Sequence, residues 1–283
     1  MKKITFALSC LLFSTTAYAQ NTEDMSIHRL YCGDVHVSDL NAFSDTERYT
    51  GQEKDLTVSC YVIKKGDKAL LWDTGLSESI ADQEGGVSSP PFTLTVQSKI
   101  TAELGKIGLT PADITHVAVS HAHFDHTGNV NLFTNATLLI QEDEFTTLTE
   151  HPDVATKHHM PADNLSYFLT DENKEKVRTL SGDEDLFGDG SLKVINLPGH
   201  TPGHMALKVT LPESGVFILS GDQWHFNENR RHNGVPSFNY DRADTLASSD
   251  KLEKLIKNTG ATLIIQHEVK DISKTPELPD GLK

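Results

Sequence analysis

Apolar residues occur along the chain in short runs that predict β-strands. Residues 27–31 and 56–63 are rich in β-branched and aromatic side chains, and the run Lys68–Trp72 is stopped by a polar turn that begins at Asp73. Six later runs have the same character and predict further strands at 116–120, 136–141, 192–197, Met205–Leu211, 216–219 and 262–266.

Two segments have the spacing of amphipathic helices. Ile100, Leu104 and Ile107 follow one another at intervals of four and three residues, and a glycine closes this helix. Residues 244–258 predict a longer helix, for which Gly260 is a C-terminal stop. Strands and helices alternate without a Pro/Ser-rich linker, so the pattern favours one α/β domain in which helices cover two sheets.

Two polar segments interrupt the pattern. Residues 77–95 contain a Gly-Gly pair and a Pro-Pro pair and are predicted to form a loop. Residues 142–190 are polar and variable, and are predicted to be helical or loop-like.

The N-terminal segment has the composition of a cleaved export signal. Lys2 and Lys3 precede an apolar run over residues 4–13, and Ala17 and Ala19 stand at the two small positions that a signal peptidase reads. This run is too short for the bilayer, which needs about 20 apolar residues, so no stable membrane insertion is expected. We predict a signal peptide over residues 1–19, a single domain over 20–283, and a periplasmic or secreted location.

The charge balance narrows the class of partner. The chain has 25 Lys and Arg against 40 Asp and Glu, a formal net charge of −15, so nucleic acid and anionic membranes would repel it. Its 3 cysteines are too few for a disulfide scaffold or a Cys-rich zinc ribbon. Cys32 and Cys60 follow the predicted signal, and their pairing stays open because it depends on geometry. Homodimer formation also stays open.

Histidine is unusually frequent, with 14 residues, and several potential metal ligands lie together. The segment SHAHFDHTGN contains His121, His123, Asp125 and His126 directly after an apolar run. Alternate residues of an extended segment share a face, so the first two can point to one centre, and a turn into a helix would direct the other two to a second. Imidazole and carboxylate suit Zn²⁺ and, less well, Mn²⁺, Fe²⁺ or Co²⁺. The alternative is a solvated histidine cluster.

Three later residues occur in a similar context. His200, Asp222 and His267 each follow a predicted strand at an abrupt stop. Open α/β sheets place their sites at such strand ends, which makes these residues candidate ligands. Taken singly, each is also typical of a structural residue, a turn or a helix cap.

The order of these motifs resembles the metallo-β-lactamase superfamily and, within it, the N-acyl-homoserine lactonases. The resemblance covers nearly the whole chain after the signal and rests on His-x-His-x-Asp-His at 121–126, Gly-His at 199–200, Gly-Asp at 221–222 and His267. Asp-Thr-Gly at 73–75 and Pro-Gly-His-Thr-Pro-Gly-His at 198–204 strengthen it. It implies an αββα sandwich, with Asp73 orienting a ligand histidine.

The resemblance also implies two zinc ions per chain. One ion would be held by His121, His123 and His200, and the other by Asp125, His126 and His267. Asp222 would bridge them. The implied reaction is the opening of the lactone ring of N-acyl-homoserine lactones, which are small-molecule quorum-sensing signals, by a hydroxide held between the metals.

Three residues are expected to take part in this catalysis, namely Asp125, Asp222 and His225. Asp222 would pass a proton to the ring oxygen as it leaves, and His225 would contact the substrate carbonyl. Members of this branch often have a tyrosine at the position of His225, and a histidine there would give a different pH dependence.

Two alternatives stay open at this stage. Another hydrolase of the same fold would use the same hydroxide on a β-lactam, thioester, carboxylester or phosphotriester. The bridging Asp222 and the lack of any cysteine after Cys60 argue against a β-lactamase. A non-catalytic metal protein is disfavoured, because closed structural zinc sites normally use four ligands with Cys prominent.

Several other residues have two interpretations. Met160, Phe168 and Trp224 are candidates for an apolar acyl pocket, although core packing is the more common fate of such side chains. His158 and His159 are typical of surface residues and are also candidates for the lining of a substrate entrance. His204 is a candidate for a supporting or packing role.

Overall fold

The computed structural model describes residues 25–283, so the predicted signal peptide lies outside the described residues. The strands in this part of the chain are β1 Met25–Val37, β2 Lys54–Lys65, β3 Lys68–Trp72, β4 Val87–Ser89, β5 Phe92–Thr95, β6 His116–Ala118, β7 Thr137–Gln141, β8 Val177–Leu180, β9 Glu184–Asp185, β10 Leu192–Asn196, β11 Met205–Leu211, β12 Gly215–Leu219 and β13 Thr262–Ile264.

The α-helices of the same region are mostly short. Their bounds are α1 Ile100–Lys106, α2 Phe124–Thr127, α3 Glu142–Glu150, α4 Pro152–Lys157, α5 Asn227–His232 and α6 Arg242–Thr259. Short 3-10 helices lie at Leu40–Phe43, Glu78–Asp82, Pro111–Asp113, Val130–Leu132, Ala162–Leu165, Lys174–Lys176 and Val269–Lys274.

The strands form two sheets. The larger has the order β4-β5-β1-β2-β3-β6-β7-β8, and the smaller has the order β13-β12-β11-β10-β9. Strands β3, β6, β7 and β8 are parallel neighbours, as are β12 and β13, whereas the other pairs are antiparallel. Within each sheet, parallel neighbours have their C-terminal ends on the same edge. The polar segments after β3 and β6 begin at that edge of the larger sheet, and those after β12 and β13 at that edge of the smaller sheet.

Alternation along the strands separates the core into layers. In β3, Leu70 and Trp72 pack in the cluster that joins both sheets, whereas Leu71 packs on the opposite face. In β12, Leu219 belongs to the cluster between the sheets and Ile218 packs against Leu252 of α6. Side chains of successive strand residues point to opposite faces, which explains this division. The layers are helix, sheet, sheet, helix, and the predicted αββα sandwich is confirmed.

The prediction of a loop at 77–95 is wrong, and the prediction of helix or loop at 142–190 is confirmed for α3 and α4 but misses β8 and β9. The predicted loop at 77–95 contains β4 and β5, because β5 pairs with β1 and β4 pairs with β5. The segment 142–190 contains β8, which adds to the edge of the larger sheet beside β7. In both cases pairing with a distant strand outweighs a polar or turn-rich sequence.

Cys32 of β1 and Cys60 of β2 form a disulfide, with their Cα atoms 5.9 Å apart. The pairing that the sequence left open is therefore present in the structure. Between residues 25 and 283, no helix has the length and apolar character needed to cross a membrane.

Candidate metal centre

The first cluster of potential ligands contains His121, His123, His200 and Asp222, all of them buried. Their ligand atoms lie within 4.8 Å of one another. Nδ1 of His123 is 2.9 Å from Nε2 of His121 and 3.1 Å from Nε2 of His200. His121 and His123 lie in the short connection between β6 and α2, in which His123 has an extended backbone, and both point to one cluster, as their spacing predicts.

The second cluster contains Asp125, His126 and His267, whose ligand atoms also lie within 4.8 Å of one another. Asp125 and His126 are on α2, which starts directly after His123. Nε2 of His126 is 3.2 Å from Nε2 of His267, and Oδ2 of Asp125 is 3.6 Å from the latter atom. The start of α2 at Phe124 thus divides one motif between two clusters.

Asp222 lies between the two clusters and presents one oxygen to each. Oδ1 is 3.2 Å from Nε2 of His126 and 3.0 Å from Nε2 of His267. Oδ2 is 3.4 Å from Nε2 of His200 and 3.7 Å from Nε2 of His121. A single carboxylate can therefore contact an ion in either cluster.

Hydrogen bonds on the outer side of the rings determine which nitrogen faces inward as an acceptor. Nδ1 of His126 donates to Oδ2 of Asp73 at 2.9 Å, Nδ1 of His267 donates to the Thr57 carbonyl at 2.8 Å, and Nε2 of His123 donates to the carbonyl of His158 at 3.0 Å. In a neutral imidazole the other nitrogen then carries a lone pair. In the second cluster the lone pairs of neutral His126 and His267 would face one another across 3.2 Å, and a cation between them would remove the repulsion. The residues therefore fit metal ions.

The pKa shifts of the histidines in the centre also agree with metal binding. Burial lowers the pKa of His121 and of His123 well below 6.5, which keeps both rings in the neutral, ligand form. Burial also acts to lower the pKa of His126, but the carboxylates of Asp222, Asp73 and Asp125 outweigh it and raise that pKa well above 6.5. These carboxylates attract a positive charge to the side of the centre where His126 lies.

His204 supports the centre from behind. Its Nδ1 donates to the Leu197 carbonyl at 2.9 Å, and its Nε2 accepts from the backbone N–H of Asp222 at 2.9 Å. A ring that accepts on one nitrogen must be neutral, and burial lowers the pKa of His204 to about 3. The structure thus places His204 against Asp222 and Asp73 against His126, which are the contacts that the predicted supporting roles require.

His225 lines the centre on the side of the cavity. Its Nε2 lies 3.0 Å from Oδ2 of Asp222, and its ring packs 4.4 Å from the Phe43 ring. Burial lowers the pKa of His225 to about 4, against the opposing effect of Asp222. The single N–H of the neutral ring is directed at Asp222 in this arrangement.

A cavity of about 480 Å³ opens over the centre. Its lining combines residues of the centre with many apolar side chains. The residues of the centre are His123, Asp125, Asp222, His225 and His267; the apolar ones are Val35, Ala42, Phe43, Leu56, Pro90, Pro91, Phe92, Leu94, Phe124 and Phe238; and Ser89, His159 and Ser237 complete the lining. A second cavity of about 490 Å³ lies beside it and shares Phe124 and His159 with it. Of the pair His158 and His159, only His159 is among the residues that line these two cavities.

The aromatic residues of this lining were not found from the sequence. Phe43, Phe92 and Phe238 come from three distant segments, and their ring centroids are 5.6 to 6.5 Å apart. No local spacing distinguishes them from core residues. Conversely, Phe168 and Trp224 are buried in the core, and Met160 is buried in the core while also bordering the second cavity.

Comparison with known proteins agrees with the order of the ligands along the chain. The family model of the metallo-beta-lactamase superfamily matches residues 54–267. The chain belongs to this superfamily. The match ends at His267, and every candidate ligand lies within it.

Relatives within the superfamily are N-acyl homoserine lactonases. The N-acyl homoserine lactonase AttM of Azorhizobium caulinodans is 32% identical over 232 residues, which cover 77% of this chain and 84% of that protein. The N-acyl homoserine lactonase of a Bacillus species is 27% identical over 225 residues, with the same coverage of 77% and 84%.

Solved structures share the fold. An N-acyl homoserine lactone hydrolase with the product N-hexanoyl-L-homoserine bound at its catalytic metal centre superposes with a TM-score of 0.76 at 22% identity, covering 91% of this chain and 98% of that chain. AidC, described as a dizinc quorum-quenching lactonase, has a TM-score of 0.67 at 20% identity, covering 87% of this chain and 88% of that chain.

Proposed function

We propose that this protein is a metal-dependent hydrolase that opens the lactone ring of N-acyl-homoserine lactones. The observation that carries the proposal is the pair of His/Asp clusters that share Asp222 in a cavity otherwise lined mainly by apolar side chains. The polar residues of the lining suit the lactone, and the apolar ones suit an acyl chain. The similarity to lactonases from Azorhizobium and Bacillus supports the same substrate class.

The proposed cofactors are two Zn²⁺ ions. His121, His123 and His200 would hold one, Asp125, His126 and His267 the other, and Asp222 both. Such ions, when bound, make hydroxide available near neutral pH and polarise a carbonyl oxygen. His/Asp ligation without cysteine also suits other divalent transition metals.

Asp222 would transfer the proton that the reaction needs, and His225 would orient the carboxylate that transfers it. Attack of hydroxide on the lactone carbonyl breaks the bond between that carbon and the ring oxygen, which needs a proton to leave as an alcohol. Oδ2 of Asp222 is the carboxylate oxygen beside His225, at 3.0 Å from its Nε2. We assign the proton transfer to this oxygen, with His225 orienting it. Contact of His225 with the substrate carbonyl would require its N–H to turn away from Asp222.

Activity against a substrate panel tests the proposal. Short- and long-chain acyl-homoserine lactones should be opened faster than a β-lactam or a thioester, chelation should abolish the reaction, and Zn²⁺ should restore it. Asp222→Ala should lose activity on every substrate by at least about 100-fold. A β-lactam as the best substrate, or folded and metal-loaded protein without turnover of any of these compounds, would refute it.

We also propose that residues 1–19 are removed on export and that residues 20–283 act as one domain. The Cys32–Cys60 disulfide supports a periplasmic or secreted location, because such bonds persist in oxidising compartments. The intact mass of the protein from a periplasmic extract should correspond to a chain beginning at Gln20. A mass that includes residues 1–19 would contradict export by this signal, and light scattering on the same sample would decide between monomer and homodimer.

A further inference from the structure

Gln266 is a buried amide directly before His267, and all of its side-chain hydrogen-bonding capacity is used. Its Oε1 accepts from Nε1 of Trp72 at 2.8 Å and from the backbone N–H of Gly221 at 2.9 Å. Its Nε2 donates to Oδ2 of Asp73 at 2.9 Å and to the carbonyl of Ser59 at 3.2 Å. An amide has two donors and two acceptor sites, so no capacity remains.

The neighbours of Gln266 leave one orientation for its amide. The indole and the backbone N–H are donors only, whereas the carbonyl of Ser59 and the carboxylate of Asp73 are acceptors, so exchanging oxygen and nitrogen would lose every bond. The donor end must therefore face Asp73. An amide held in this way is a rigid connection between the strand ends that meet at the centre.

The connection reaches three of the segments that bear ligands. Through Asp73 it reaches His126, because Oδ2 of Asp73 accepts from both Gln266 and Nδ1 of His126 at 2.9 Å. Through Gly221 it reaches the residue before Asp222. Its own backbone continues into His267. Two of these links lead to His126 and His267 of the second cluster, and the third leads to Asp222, which the two clusters share. Asp73 also accepts from the backbone N–H of Ser120, the residue before His121, but it does so with its other oxygen, Oδ1, and not with the Oδ2 that Gln266 and His126 contact.

Asp73 depends on such contacts to keep its position. Its backbone has φ of 57°, a left-handed conformation that is unfavourable for a residue other than glycine. The carboxylate is buried and accepts three bonds, from the Ser120 backbone at 2.6 Å, from Gln266 and from His126. Without Gln266, one of these bonds is lost and the carboxylate can turn away from His126.

We propose that Gln266 is a positioning residue that sets the metal affinity of the cluster Asp125, His126 and His267. The inference rests on the ligand assignment of the proposed function. Gln266 acts through Asp73 on the His126 ring and through Gly221 on Asp222. It touches neither the metal nor the substrate.

Zinc titration of metal-free protein tests the inference. The protein is stripped with a chelator, and binding of Zn²⁺ alone is followed by competition with a chromophoric chelator, which gives one dissociation constant for each site. In Gln266→Met, which keeps the length of the side chain without its polar atoms, one site should weaken by about tenfold while the other stays within about twofold. The weakened site should be the one that His267→Ala abolishes.

The control is Trp72→Phe, which removes a neighbouring bond to the same amide but leaves the bond from Gln266 to Asp73. This variant should lose stability and keep both dissociation constants within about twofold. If Gln266→Met does not fold, Gln266→Asn provides the test, since its amide remains polar but is one methylene too short to reach Asp73. The spectrum of Co²⁺-loaded protein should also change in Gln266→Met and not in Trp72→Phe.

The outcomes separate this inference from the proposed function. Wild-type protein that binds fewer than two ions would overturn the ligand assignment and the inference with it. Two ions in wild type, with unchanged affinities in Gln266→Met, would overturn the inference alone. Equal weakening of both sites in Gln266→Met and Trp72→Phe would show a general structural role and would also overturn it. In a double-mutant cycle, the effects of Gln266→Met and Asp73→Asn on the Zn²⁺ dissociation constant of the weakened site should be far from additive.

Discussion

Gly221 precedes Asp222 at a point where a side chain has no room. Its φ is +53°, and a Cβ at this residue would lie 2.6 Å from Nε2 of His204 and 2.9 Å from the Met205 carbonyl. The first of these atoms is the acceptor for the Asp222 backbone N–H. We expect Gly221→Ala to lower the free energy of unfolding by about 3 kcal/mol and the hydrolysis rate by about 100-fold, because Asp222 must shift.

Gly215, at the other end of β12, is the matched control. It also has a positive φ, +82°, but a Cβ at this residue would meet no atom within 4 Å, so Gly215→Ala should cost only the left-handed strain of about 1 kcal/mol. Urea unfolding and lactonase assays on both variants measure the difference. Equal losses in the two would show that crowding at Gly221 is unimportant.

Individual residues also show how far the sequence could predict the centre. The spacing of His121, His123, Asp125 and His126 was informative because histidines and carboxylates carry recognisable chemistry. The roles of Gln266 and of the aromatic residues Phe43, Phe92 and Phe238 were not predicted, because the sequence does not distinguish a functional amide or phenyl ring from one that only packs in the core. Their roles arise from which distant segments meet them.

At the scale of elements, α6 begins earlier than the sequence predicts, and the reason is its N-cap. Asp241 accepts a hydrogen bond from the backbone N–H of Asp244 at 2.9 Å, so the helix starts at Arg242. Asp241→Ala should destabilise the protein by about 1 kcal/mol, and Asp241→Asn, which retains a capping oxygen, by much less. Chemical denaturation compares the two, and equal losses would argue against the cap.

The disulfide between β1 and β2 closes a loop with a sequence separation of 28. Replacing both Cys32 and Cys60 by alanine should lower the free energy of unfolding by about 3 kcal/mol, mainly because the unfolded chain gains freedom. Reductant should destabilise the wild type to a similar extent and leave the double variant unchanged. A wild type that is indifferent to reductant would contradict the stabilising role.

The strands that the sequence did not predict share a physical cause. Strand β5 is four residues long and follows a Pro-Pro pair, yet Leu94 pairs with Val35 of β1 and is buried there. Strand β8 has the half-exposed pattern of an edge. Both owe their conformation to a neighbouring strand rather than to their own composition. The long apolar strands of the central layers were predicted from their own composition, because β-branched and aromatic residues favour strands.

At the scale of the whole molecule, the candidate ligands come from both sheets. His121 and His123 follow β6 of the larger sheet, whereas Asp222 and His267 follow β12 and β13 of the smaller one. Metal ions held between them would cross-link the sandwich. We therefore expect chelation to lower Tm by about 10 °C and Zn²⁺ to restore it, as measured by thermal unfolding. An unchanged Tm after verified metal removal would show that the sheets do not depend on the ions.

The partition between the two cavities has a consequence for substrate length. Phe124 and His159 line both the first space, of about 480 Å³, and the second, of about 490 Å³. If these two side chains form the boundary, an acyl chain that outgrows the first space must displace one of them to enter the second. The turnover rate would then change abruptly at one acyl-chain length instead of declining with each added carbon.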